Sequence, residues 1–195
     1  MRRSAWCDWR RWLVYTHRWL GIGGGVLFVS WFVSGIVLMY AGMPELAESK
    51  RLGLLPRLDL SRVTVSPHEA SVAVGAVPSR MVVAMVGQRP AYRFPHIGRW
   101  TTVYADTGEV FGGLTSVEAV AAAGQFAPEH ASTAEYDRLL TGADQWSLQA
   151  GSYRPLHRVA LQDGKGTELY ISDRTGLPML ETTTSTRGWA YAGAV

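Results

Sequence analysis

Residues 19–43, WLGIGGGVLFVSWFVSGIVLMYAGM, contain no Asp, Glu, Lys or Arg, and nothing else in the chain constrains its folding as strongly. At 1.5 Å rise per residue, a helix of ~25 residues crosses the ~30 Å hydrocarbon layer of a bilayer with some tilt. A secretory signal peptide is the competing reading. Its apolar region is normally ~7–15 residues and ends at a small-residue cleavage site. This stretch is longer and ends in Tyr40, Met43 and Pro44, which favours a retained spanning helix.

Charge gives the orientation. Arg2, Arg3, Arg10, Arg11 and Arg18 precede the run against one acid, Asp8, whereas Glu45, Glu48, Lys50 and Arg51 roughly cancel after it. An excess of basic residues stays on the cytoplasmic side, so the N-terminus is expected there and the remainder is expected to be exported. Trp6, Trp9, Trp12, Tyr15 and Trp19 crowd the inner boundary and Tyr40 marks the outer one, as amphipathic rings do at headgroup depth. The net charge of the whole chain is only +3. With its excess gathered before the span, it reads as topology, and no nucleic-acid partner is expected. The 195 residues leave room for one ordinary domain beside the membrane element. The single cysteine, Cys7, excludes a disulfide framework, a thiolate metal cage and thiol redox work.

Within the span, Gly21 and Gly25 stand in GxxxG spacing and Ser30 and Ser34 are similarly placed, which points to something packing closely on the helix. Gly and Ser are also simply frequent in membrane helices. His17 is an ionisable group at the edge of an apolar helix, a costly position unless it faces a partner, a cavity or a cofactor. His17, Gly21, Gly24 and Phe28 fall on one stripe, so the imidazole projects beside two turns without side-chain bulk, against which a flat macrocycle fits. Spacing alone favours an interfacial histidine bonding water or headgroups beside Arg18.

After a polar linker, Ser66-Pro67-His68-Glu69 has the form of a capping box that opens a helix running to about Val77. Residues 80–88, 91–94 and 99–104 read as strands, the last leading into the turn Asp106-Thr107-Gly108 and a return at 109–111. The order then recurs. Thr115-Ser116-Val117-Glu118 caps a second helix through Gln125, and 132–140 reads as a further helical stretch. Residues 154–161 and 167–172 read as strands around the hairpin turn Asp163-Gly164-Lys165-Gly166. The segment 103–110, VYADTGEV, echoes 169–176, LYISDRTG. The fold class expected is therefore α+β, with one N-terminal transmembrane helix and two helix-plus-antiparallel-hairpin units. The boundaries are a basic cytoplasmic segment at 1–18, the helix at 19–43, a linker at 44–64, units at 65–112 and 113–183, and a tail at 184–195.

The motif Arg11-Trp12-Leu13 … His17-Arg18-Trp19-Leu20-Gly21, leading into Ser34-Gly35 and Tyr40, together with the repeated strand-Asp-Thr-Gly turns, resembles the PepSY-associated membrane proteins of bacteria over nearly the whole chain. The opening motif is the more specific part, because acidic residues and Gly suit any tight turn. The resemblance implies a bacterial inner (plasma) membrane location, with a periplasmic or extracellular domain. It implies further membrane helices after the second unit and, in some relatives, a b-type haem ligated by membrane-helix histidines in reductases of iron-siderophore complexes. His17 matches the first-helix histidine and would be an axial ligand of the haem iron, with Gly21 and Gly24 against the macrocycle. It equally implies a non-enzymatic binding or regulatory module, resembling peptidase-inhibiting units, on a membrane anchor. Residues 184–195 look like the approach to a second membrane helix. The expected partners are membrane lipid, further transmembrane helices or subunits, and an iron-siderophore substrate or a peptide.

Other residues carry less. His68, His96, His130 and His157 lack the spacing that puts two ligands on one face and read as surface or turn histidines. Asp106 and Asp173 read as self-capping turn residues before acid-base groups. No nucleophile elbow, P-loop or dinucleotide fingerprint occurs. An edge of the expected sheet, rich in Val and Tyr, suits peptide pairing.

Overall fold

The computed structural model of the chain describes residues 4–40, 42–75 and 79–193, with side chains from Trp9 onward. Arg2, Arg3, the expected helix end at Val77, and Ala194 and Val195 lie outside the described residues, as do the side chains of Trp6, Cys7 and Asp8. The fold is α+β, with a long apolar N-terminal helix and a soluble domain of antiparallel sheets. It divides into two units, one of residues Met1–Gly42 with Gly188–Val195, the other of Met43–Arg187.

In the first unit, helix α1 spans Ser4–Tyr40 without interruption. Within it, Trp9–Tyr40 is long and apolar enough to cross a membrane. No proline breaks the run, and the Gly cluster is tolerated because the flanking Leu, Val, Ile and Trp residues carry the helix through it. Its apolar side chains are exposed all round, from Trp12 and Leu20 to Phe32 and Met39. A Cβ added at Gly21, Gly23, Gly24, Gly25 or Gly35 would meet nothing within 4 Å. Close approach occurs instead near the other end. The C-terminal helix, Thr184–Gly193, buries Ala190 and Gly193, and a Cβ on Gly193 would lie 2.5 Å from the Leu38 side chain.

The second unit opens with α2 (Glu48–Gly53) and a 3₁₀ turn at Leu60–Arg62, so the linker is partly helical. Helix α3 (Pro67–Ala73) starts as its sequence dictates: the Ser66 hydroxyl accepts from the Glu69 N–H and the Glu69 carboxylate accepts from the Ser66 N–H. Strands β1 (Val82–Val86), β2 (Arg89–His96) and β3 (Arg99–Tyr104) form an antiparallel sheet in chain order. The expected return at 109–111 is a single bridge, Val103 to Val110, held by Tyr104 N–H to the Glu109 carbonyl and Phe111 N–H to the Thr102 carbonyl. One face of this sheet sets Tyr92, Phe94 and Val103 against Ala70 of α3. By the two-residue period, Arg93 and Thr102, paired across the strands, point to the other face.

Helix α4 (Ser116–Phe126) repeats the reciprocal cap with Thr115 and Glu118. Four strands follow, β4 (Glu135–Leu140), β5 (Leu156–Ala160), β6 (Glu168–Ser172) and β7 (Pro178–Thr182), antiparallel in chain order. Short 3₁₀ turns lie at Pro128–His130 and Leu148–Tyr153, and α5 (Thr184–Gly193) closes the chain. Ala119, Ala123 and Phe126 of α4 pack on Val159, Leu169 and Ile171, while Tyr170, Leu156 and Leu180 fill the opposite face. The hairpin at 163–166 forms as expected: Asp163 accepts from the Lys165 and Thr167 N–H groups, and Gly164 and Gly166 take positive φ.

Two expectations fail here. The stretch 132–140 is not helical: after the 3₁₀ turn it becomes strand β4, paired with β5. Its Glu, Arg and Leu favour a helix weakly, but the open edge of β5 offers the backbone a full ladder of partners, and that tertiary option prevails. The sequence reading also passed over β7, whose alternating burial in PMLET completes the sheet. Both repeats thus consist of a capped helix followed by an antiparallel sheet, of three strands in one and four in the other. The reciprocal cap of α4 is local and its removal should read cleanly. Thr115→Ala is expected to lower the stability of this domain by about 1 kcal/mol, and Thr115→Ser to lie within a few tenths of the parent. Urea unfolding of the full chain in detergent, followed by near-UV circular dichroism, measures both.

Candidate functional site

His17, Gly21 and Gly24 all lie on α1, and their placement follows from helical spacing alone. His17 and Gly21 are exposed, Gly24 is half-buried by its own helix, and Phe28 follows on the same stripe with 60% exposure. No described residue hydrogen-bonds the His17 ring. An open groove of about 990 Å³ beside it is lined by Trp9, Trp12, Leu13, Thr16 and Leu20. The groove runs along α1 from Trp9 to Leu20, with Arg18 also in its lining, and Gly21 and Gly24 are not part of it. Among the described residues, no three His, Cys, Asp or Glu side chains converge. Measured against a haem, α1 offers one imidazole and a bare flank. Among the described residues of α1 no second imidazole accompanies it.

The two acidic turns in the folded domain share a backbone but not a chemistry. Gly108 N–H donates to the Tyr104 carbonyl and Gly176 N–H to the Ser172 carbonyl, each at 2.8 Å and each with glycine at positive φ. Aligning the turns on these glycines sets Asp106 opposite Arg174, not opposite Asp173, so the two aspartates are not equivalent.

Asp106 is held by Arg89. Nε donates to Oδ2 at 2.8 Å and Nη2 to Oδ1 at 2.7 Å, a bidentate pair, while the guanidinium carbon lies 3.6 Å from the centre of the Tyr104 ring. These bonds hold the Asp106 carboxyl below its ordinary pKa. With both oxygens engaged, Asp106 is a structural anion.

Asp173 has a different set of partners. Its Oδ1 accepts from the Leu114 N–H at 2.9 Å and faces His157 Nε2 at 3.1 Å, and His157 Nδ1 lies 3.2 Å from the Tyr136 hydroxyl. A neutral imidazole satisfies this line if Nε2–H donates to Asp173 and Tyr136 O–H donates to Nδ1. Gly113, at φ +104°, passes so close that an added Cβ would sit 2.6 Å from Asp173 Oδ1. Burial raises the pKa of the Tyr136 phenol. His157 is thus no surface or turn histidine: it lies on β5 with 3% exposure. The signal was present in the sequence, since His157 shares strand parity with the buried Val159. Nor does Asp173 merely cap its own turn. The line Tyr136–His157–Asp173 is the buried polar network that sequence reasoning missed.

No protein-family model, curated protein or solved structure matches the chain.

The Asp106 pair makes a signed prediction about pH. A carboxyl whose folded pKa is depressed contributes stability above its unfolded value, near 3.9, and that contribution is lost as pH falls through the folded pKa. Asp106→Asn is expected to destabilise the domain at neutral pH and to flatten its loss of stability below about pH 4, relative to the parent. Parallel urea titrations between neutral and acidic pH give both quantities.

Proposed function

We propose that the chain is a membrane-anchored PepSY protein belonging to a haem-containing inner-membrane electron-transfer system that reduces iron-siderophore complexes, with α1 as its anchor. In this reading, the N-terminus is cytoplasmic and the sheet domain is periplasmic. The observation that carries it is the exposed imidazole of His17, beside Arg18 at the basic end of the apolar helix, next to a flank that Gly21 and Gly24 leave bare. An ionisable side chain in such a position is costly without a partner, and the resemblance of residues 11–21 to the PepSY-associated opening motif supplies one. A bound b-type haem would contribute one-electron redox chemistry. The chain's own part would be to hold such a group through the His17 imidazole, with Gly21 and Gly24 leaving room beside it and a further helix supplying the rest of the site.

A second reading, a non-enzymatic peptide-binding or regulatory module on an anchor, draws on the sheet edges. Strand β4 carries Glu135, Asp137 and Arg138 on its open edge, which discourages pairing, whereas β1 pairs with β2 alone and leaves Val82 exposed. An extended peptide has a suitable edge there.

The visible spectrum separates the two. The full chain, purified from membranes with its associated subunits, is expected to show a Soret band that shifts under dithionite and is lost in His17→Ala. A colourless preparation, or a band unchanged in His17→Ala, would remove the haem reading and leave the peptide-binding one.

A further inference from the structure

Arg93 is the one buried arginine of the first sheet, and its environment lacks a counter-charge. It is 3% exposed, on the face of β2 turned away from α3. Its two hydrogen bonds both leave from Nη2, to the Thr175 carbonyl at 2.8 Å and the Met85 carbonyl at 3.3 Å. Nε is buried without a partner. No described carboxylate forms an ion pair with it. Burial, and after it repulsion from the Arg51 cation, pushes the Arg93 guanidinium down to about 10. Carbonyl dipoles alone compensate a buried guanidinium incompletely, and natural interiors pair such a group or hydrate it.

The same side chain lines a cavity of about 170 Å³ in the sheet domain, and Arg51 lines it as well. Arg51 is held loosely, 3.5 Å from the exposed Glu48 and 3.7 Å from the Met179 sulfur. None of the residues lining the cavity is acidic. Its remaining wall is mostly apolar, with Leu52, Val83, Leu177 and the stacked Trp100–Tyr153 pair at 6.0 Å between ring centres. Arg80 lies over the Trp100 ring at 5.1 Å. Arg93, with no carboxylate partner among the described residues, and Arg51, paired with the exposed Glu48 at 3.5 Å, thus both line a largely apolar space. A cavity of ~150 Å³ admits benzene, so the available volume suits one ring or one short branched side chain.

We propose that this cavity binds the carboxylate of a small apolar acid, Arg93 and Arg51 holding the anion and the Trp100–Leu177 wall holding the apolar body. A guanidinium fork matches a carboxylate in geometry as well as charge. The chemistry is the same whether the acid is free or is the C-terminal residue of a peptide. The site is independent of any haem at His17.

Equilibrium binding to the full chain in detergent micelles, with empty micelles subtracted, tests the site with four probes: benzoate, benzamide, acetyl-alanyl-valine and its C-terminal amide. At least one of the two carboxylates is expected to bind saturably, and its neutral amide roughly tenfold or more weakly, because bonds between charged partners exceed neutral ones. Which carboxylate binds identifies the source. Arg51→Gln is expected to weaken binding several-fold without loss of fold. Arg51→Glu supplies an internal carboxylate to Arg93, so it should abolish binding while raising the thermal midpoint. The proposal is overturned if neither acid binds saturably, if the amides bind as well as the acids, or if Arg51→Glu binds like the parent.

Discussion

The sheet domain depends on the way its first sheet grips the turn of its second. Arg93 Nη2 donates to the Thr175 carbonyl and Thr102 Oγ1 donates to the Arg174 carbonyl at 2.7 Å, from two side chains paired across β2 and β3. Gly176 closes the contact. At φ +66° it turns the chain where a Cβ would lie 3.1 Å from Val86 of β1. Each sheet already has a helix over one face, α3 on the first and α4 on the second. The remaining face of the first sheet would be left open, and the turn after β6 covers it. Two buried carbonyls acquire donors, and two polar side chains acquire acceptors, in one arrangement.

Local signals were legible in the sequence and distant ones were not. Ser66 with Glu69, and Thr115 with Glu118, announce their helices because each capping box is complete within four residues. The uncharged run and the Asp163–Gly166 hairpin are local in the same sense. Residues 132–140 misled because nothing within them specifies a strand: β4 exists through the free edge of β5, which comes later in the chain. His157 and Arg93 are the sharper cases. Strand parity sets Arg93 opposite Tyr92 and Phe94, which ordinarily means solvent. Only the turn from eighty residues on, roughly the separation between Arg93 and Thr175, makes that position an interior one. Of the candidate site residues, His17, Gly21 and Gly24 were legible as a stripe because helical spacing is fixed.

His17 and Arg93 are basic groups in different surroundings. Arg93 is buried against an apolar wall, whereas His17 is exposed beside Thr16 and Arg18 at the basic end of an apolar helix. For Arg93 the protein supplies part of the answer, two carbonyls, and the residue of the problem is measurable as an unpartnered Nε and a repulsive neighbour. For His17 the surrounding medium of α1 decides. At the boundary of a bilayer an imidazole can reach headgroups, whereas deeper in the hydrocarbon it needs another helix or a ligand. The lever in the first case is packing, and in the second it is depth.

The two repeats diverge at the place where the domain acquires its cavity. In the first turn Arg89 binds Asp106 and stacks on Tyr104, so the turn neutralises itself at the surface. In the second, the position matching Asp106 is Arg174, and the neighbouring Asp173 turns away to the Leu114 N–H and His157. The carbonyls of Arg174 and Thr175 are thereby free to accept from the first sheet, and the carboxylate that could have paired with Arg93 is committed elsewhere. Had the second turn kept the self-neutralising arrangement of the first, its acid would lie near the sheet junction and the cavity would carry its own counter-ion. Because the backbone was repeated and the side chains were not, the cavity is lined by Arg51 and Arg93 and by no acidic residue, the exposed Glu48 reaching Arg51 from outside that lining. That imbalance makes it a receptive site instead of a finished core.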